Sequence, residues 1–220
     1  FQAGVQATQA AYGVGCPQQY GSFYEDFFGP TDLVNASITW IPNGPGAGYT
    51  VMPGIGVWTA PSGTASVMPL GDTVTQMMSL SQPFFYDGGS TSSLEIQTEG
   101  VVSVAAGNTT EYWASSWDLL NNPQSAWWNW QDLYTAAPGS GTIKYEEIGG
   151  IAYITWDGVY DWGGSSAADA NTFQFQFDTN TGIVHLITQT MSLNQWHCMT
   201  GYSPGGASGD PGSMDISTAL

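Results

Sequence analysis

The sequence predicts an all-β chain, an antiparallel β-sandwich of the jelly-roll or Ig-like two-sheet kind with one short helix and long loops. Three observations carry that expectation. The 220 residues include 29 Gly and 12 Pro, which cut the chain into short segments. The segments between them are rich in Val, Ile, Thr, Tyr, Phe and Trp, residues that suit a pleated, half-buried surface. No period of about 40 to 50 residues recurs, so a sandwich is favoured over a propeller, with a barrel as the main rival.

Taken in order, the N-terminal stretch alternates as a strand does, with Phe1, Ala3, Val5 and Ala7 apolar and Gln2, Gln6 and Thr8 polar. It either pairs within its own sheet or is donated to a neighbouring subunit, where backbone hydrogen bonds and alternate side chains would seat it. Strands are expected at Ser37 to Ile41, Tyr49 to Met52, Val74 to Leu80, Ser93 to Thr98 and Val101 to Ala105. Glu111 to Asn121 is the helix candidate, preceded by Thr109 and Thr110 as caps, with Trp113, Trp117 and Leu120 at helical spacing. Two hairpins follow. In the first, Thr142 to Trp156, Gly149 and Gly150 supply a tight turn; in the second, Thr172 to Met191, the turn is Asp178 to Gly182. Phe173, Phe175 and Phe177 share one face and imply a core, whereas Gln174 and Gln176 imply solvent or a neighbouring subunit. The organisation is thus an extended segment over 1–15, a sandwich over 16–202 and a Gly/Pro/Ser-rich tail over 203–220.

Charge excludes several partners. One Lys or Arg stands against 18 Asp and Glu, for a formal charge of −17. Nothing neutralises phosphates, so nucleic acid and anionic membranes are poor partners. No apolar run reaches the roughly 18 residues of a membrane span, and no charged n-region precedes an apolar h-region, so a signal peptide, if there was one, has been removed. Cys16 and Cys198 are read as a disulfide of an exported protein, the alternative being two buried thiols. Such a bridge closes a loop of about 180 residues and is worth on the order of 5 kcal/mol in the chain-entropy model.

Catalytic constellations are sparse. His185 lies in a strand and no Gly-x-Ser-x-Gly accompanies either histidine. His197 adjoins Cys198, but strand neighbours point to opposite faces. Glu146, Glu147, Asp157 and Asp161, with Tyr145, Trp156, Tyr160 and Trp162 nearby, could serve an acidic glycosidase. Asp178-x-Asn180-x-Gly182 reads as a turn, while Asp157, Asp161 and Asp169 are candidate calcium ligands. No other cofactor is expected. Trp128, Trp130, Trp156, Tyr160 and Trp162 are the candidate platforms for stacking a glycan, Trp128 being the outward-facing candidate of the cluster Trp127, Trp128 and Trp130; the alternative is a core plug beneath a long loop.

The run Leu80 to Ser90 (LSQPFFYDGGS) followed by Leu94 to Val104 (LEIQTEGVVSV) resembles secreted bacterial β-domains in which a PFxFxYGG turn precedes an LxVSSNGFVSL strand. Trp130-Gln-Asp-Leu, Ser140 to Glu146, Gly150 to Val159 and Thr172 to Phe177 are similar to later strands of those domains, and more distantly to nidogen-like extracellular modules. The chain departs from the pattern at Glu99, where Asn is usual. The resemblance implies a secreted β-sandwich and no activity. The resulting expectation is a non-enzymatic extracellular structural protein that assembles with itself into a filament or cell-surface array by strand exchange. The alternatives are a carbohydrate-binding or adhesion module and, third, an acidic glycoside hydrolase.

Overall fold

The computed structural model describes residues 21–29, 31–192 and 197–216. The strands are β1 (Phe23–Phe27), β2 (Ser37–Pro42), β3 (Tyr49–Pro53), β4 (Ser66–Val67), β5 (Thr75–Tyr86), β6 (Gly89–Gln97), β7 (Val101–Ser103), β8 (Ala126–Trp130), β9 (Leu133–Tyr134), β10 (Thr142–Ile148), β11 (Ile151–Asp161), β12 (Ala170–Asp178), β13 (Val184–Thr190) and β14 (Cys198–Ser203). They form two antiparallel sheets, ordered β1-β14-β8-β7-β6-β5 and β3-β2-β13-β12-β11-β10-β4, with β9 pairing off the end of β11. The chain is an all-β sandwich, as its composition and periodicity predict.

Both hairpins are present in the expected register. Ile148 pairs with Ile151, so Gly149 and Gly150 alone make the turn, at φ of 62° and 86° that other residues adopt only with strain. Lys144 donates to Asp157 across this hairpin at 2.6 Å, and its exposure limits the pair to about 1 kcal/mol or less. The Pro83 of β5 is tolerated because β5 is an edge strand, and its ladder is irregular between Ser79 and Phe84.

Between the sheets, Trp127, Tyr202 and Phe84 meet Phe177 and Tyr49, while Trp156 stacks on Phe173 at 4.6 Å. Alternation sends Trp128 and Trp130 to the opposite face of β8, yet both are fully buried there with Leu119, Leu120 and Met199. The cover includes the helix α1 (Ser116–Asn121), which is shorter than expected. Ser115, not Thr109 or Thr110, caps it, by accepting from Asp118 N–H. Its buried residues are Leu119 and Leu120, so Trp113 and Trp117, at 43% and 69% exposure, are not the packed face.

Gln174 and Gln176 correct a second expectation. They do lie opposite the three Phe, but the segment after β3 covers them: Gln174 donates to Thr59 O and Gln176 to Val57 O, both at 2.7 Å. The tail is held against β1. Met214 N–H donates to Tyr24 O, Asp26 N–H to Ser213 Oγ, and Tyr24 OH to Asp210. Cys16 and the donor-strand candidates Phe1, Ala3, Val5 and Ala7 lie outside the described residues. No disulfide is found among the described residues, where Cys198 is fully buried beside Asn129 and Thr200, and burial pushes its thiol up to about 12. Among the described residues no helix is long and apolar enough to cross a membrane.

Candidate functional site

Several connections meet at one end of the sandwich, and the turn between β6 and β7 is their pivot. Glu99 sits at its tip, 1% exposed. Gly100 must follow it: its φ is +78°, and a Cβ there would fall 2.2 Å from Asn129 O. The Glu99 carboxylate accepts from Leu133 N–H at 2.9 Å and from Thr73 N–H at 3.3 Å. It thereby ties the loop before β5 to the loop after β8, the two segments that carry Asp72 and Asp132. Thr73 holds φ of +50°, an uncommon conformation for a β-branched residue that costs on the order of 1–3 kcal/mol and concentrates at ligand sites. Thr135 Oγ1 accepts from Gly71 N–H and donates to Gly71 O, which fixes the same loop from the other side.

Asp72, Glu99 and Asp132 each bring a carboxyl oxygen within 4.8 Å of the others, close enough to share one positively charged group. Burial pushes Glu99 up to about 8, with Asp132 and Asp72 adding repulsion against its hydrogen bonds. Burial, then Asp72 and Asp161, raises Asp132 to about 6.

In front of this trio is a cleft of about 840 Å³ walled by Asp72, Asp132, Glu111, Tyr112, Trp113 and Trp162. That volume suits a small-molecule or saccharide ligand. Trp162 is half exposed, its ring packs on Tyr134 at 4.8 Å, and its backbone N–H donates to Asp132 O at 2.8 Å. Trp113 leans on His197 at 4.9 Å, and that imidazole, stacked on its other partner Phe28 at 4.5 Å, bonds Asp26 through Nε2. Trp130 Nε1 donates to Glu111 O at 3.0 Å and holds the remaining wall.

Of the residues proposed from sequence for stacking, only Trp162 lines the cleft. Trp128, Trp130 and Trp156 are fully buried and cannot present a face to a ligand; Tyr160 is partly buried and is not among the cleft's lining residues. Asp157, Asp161 and Asp169, the calcium candidates, are not among the carboxylate groups that converge among the described residues. Asp157 serves Lys144, Asp161 accepts from Asn171 at 2.8 Å, and Asp169 closes the capping box of the 3-10 turn Ala167–Asp169. Besides the Glu99 trio, the carboxylate group that converges among the described residues is Glu25, Asp32 and Asp215, where the tail meets β1. Among the glycosidase candidates, Glu146 accepts from Ser62 and Glu147 from Ser81 N–H, so these carboxylates brace loops rather than face one another across a cleft. His197 is engaged by Asp26 and not by its neighbour Cys198.

Sequence reasoning missed Asp72, Glu99, Asp132, Tyr112 and Trp113 as a set. The one available signal was Glu99, an acid in a position where the resembling pattern carries Asn. Comparison with family models, with curated proteins and with solved structures returns no match.

Proposed function

We propose that the chain is an extracellular, non-catalytic carbohydrate-binding module whose ligand lies in the cleft between Trp113 and Trp162. One observation carries this reading: two half-exposed indoles and Tyr112 flank the Asp72 and Asp132 carboxylates in a single concave site. Indole faces take the apolar face of a sugar ring, and carboxylates accept from its hydroxyls. Binding is favoured over cleavage because Glu99, the carboxyl pushed highest by burial, is enclosed and engaged by backbone N–H groups rather than lining the cleft. Titration of soluble polysaccharides and chito- and cello-oligosaccharides is expected to find a ligand that Trp162→Ala binds about tenfold more weakly, the loss of about 1.4 kcal/mol. Trp117→Ala, exposed but outside the cleft, is expected to bind as the parent does. Equal affinity for Trp162→Ala and parent overturns the assignment.

Assembly by strand exchange is the second reading, favoured by the open flank of the sandwich. There the edges β4 and β5 leave a gap of about 230 Å³ lined by Val67, Met68, Gln76 and Met78, with Val67 55% exposed. Residues 1–11 of another copy are the proposed donor. Deleting them, which spares Cys16 and the proposed Cys16–Cys198 bridge, is expected to convert assemblies to monomers by light scattering. Assemblies that survive the deletion remove this reading.

A further inference from the structure

Resting on the reading of the cleft as a glycan site, we propose that its glycan carries a free ammonium group: the ligand is an amino sugar, seated with its ring on the cleft's indoles and its ammonium between the Asp72 and Asp132 carboxylates. Every ionisable side chain that lines the cleft other than Tyr112 is an acid, namely Asp72, Glu111 and Asp132. The chain has one Lys and no Arg, and that Lys is held by Asp157. Among the described residues no Lys, Arg or His side chain lines the cleft.

Acids gathered in this way repel one another. Asp132 is half-buried and repelled by Asp72 and by Asp161, and an oxygen each of Asp72 and Asp132 lies within 4.8 Å of the Glu99 carboxyl, which burial keeps protonated at neutral pH. A neutral sugar leaves that repulsion in place, whereas an ammonium removes it and gains charge-assisted hydrogen bonds, which are about twice as strong as neutral ones. The aromatic walls act in the same direction. An indole face attracts a cation positioned within about 6 Å of its centroid, so Trp113 and Trp162 favour an aminated ring over a hydroxylated one. An anionic sugar meets only like charge here. Glu99 acts as a positioning residue, because its bonds to Thr73 and Leu133 set the spacing of the two acids that would receive the ammonium.

Hexamers of glucosamine, of N-acetylglucosamine and of glucose, titrated calorimetrically into the full chain, separate the outcomes. The glucosamine hexamer is expected to bind at least tenfold more tightly than either neutral hexamer. Because the whole chain carries −17, two variants of equal net charge are compared. Asp72→Asn/Asp132→Asn is expected to lose the preference, and Glu146→Gln/Glu147→Gln, which removes two acids outside the cleft, is expected to keep it. Equal loss in both pairs means bulk attraction and overturns the proposal. Equal affinity for all three hexamers overturns the ammonium preference but leaves the glycan reading standing. Absence of binding to every saccharide, including those titrated for the general reading, defeats both.

Discussion

Raising the pH from 4.5 to 8 is expected to remove on the order of 4 kcal/mol of folding stability through Glu99 alone, and Glu99→Gln is expected to abolish that share of the loss. Burial in the native state pushes Glu99 from an ordinary 4.5 to about 8, so between those values the folded chain keeps a proton that the unfolded chain releases. The unfolded state then binds fewer protons, and stability falls as pH rises. The contribution is complete below pH 4.5 and is gone above about 8. Asp132 and Asp161, each raised to about 6 chiefly by burial, act in the same direction over the lower part of that window. Asp72 and Asp132 face the Glu99 carboxylate and oppose its ionisation, while the N–H groups of Leu133 and Thr73 favour it. Glutamine imitates the protonated acid. Urea denaturation at pH 4.5, 6 and 8 should show parent and variant similar at the lowest pH and the variant more stable by a few kcal/mol at the highest. A profile that falls equally steeply in both would remove Glu99 as the cause.

Trp127→Ala is expected to destabilise the fold by about 3–5 kcal/mol, which for a domain of this size lowers the melting temperature by roughly 10 °C. Trp127 is fully buried and meets four aromatic rings, at centroid distances of 6.0 Å to Tyr49, 5.8 Å to Phe84, 5.1 Å to Phe177 and 5.0 Å to Tyr202. Two of these come from each sheet, so truncation opens a cavity where the sheets join. Trp117→Ala, at a residue 69% exposed, should change stability by less than about 0.5 kcal/mol. Thermal melts followed by near-ultraviolet circular dichroism provide the comparison; a loss under about 1 kcal/mol for Trp127→Ala would show that the sheets are joined elsewhere.

The contrast between Trp127 and Trp128 shows how far sequence reading reaches. Alternation on a strand correctly sends neighbouring indoles to opposite faces. It cannot say what covers the second face, and here α1 and its flanking loop do, which makes Trp128, the outward-facing candidate, part of the core plug that is the other reading of the cluster. Gln174 and Gln176 repeat the lesson, because the chain around Val57 and Thr59 folds back over a face that alternation marks as outward. Periodicity alone starts the helix several residues too early, because Trp113 and Trp117 fit a 3.6-residue spacing, although the cap at Ser115 excludes Trp113 from it.

What the sequence determines by itself is local: the period-2 strands, the two-residue turn at Gly149 and Gly150, the paired hairpins and hence the all-β class. Each depends on residues within one or two turns of the chain, where backbone sterics and side-chain alternation act directly. Tertiary structure alone decides the cleft. Asp72, Glu99 and Asp132 come from three separate connections, and they meet only because sheet order brings the starts and ends of β5, β7, β8 and β9 to one end of the sandwich. The burial that raises the Glu99 pKa likewise exists only once both sheets have packed, since it is the low dielectric of the assembled interior that penalises its charge.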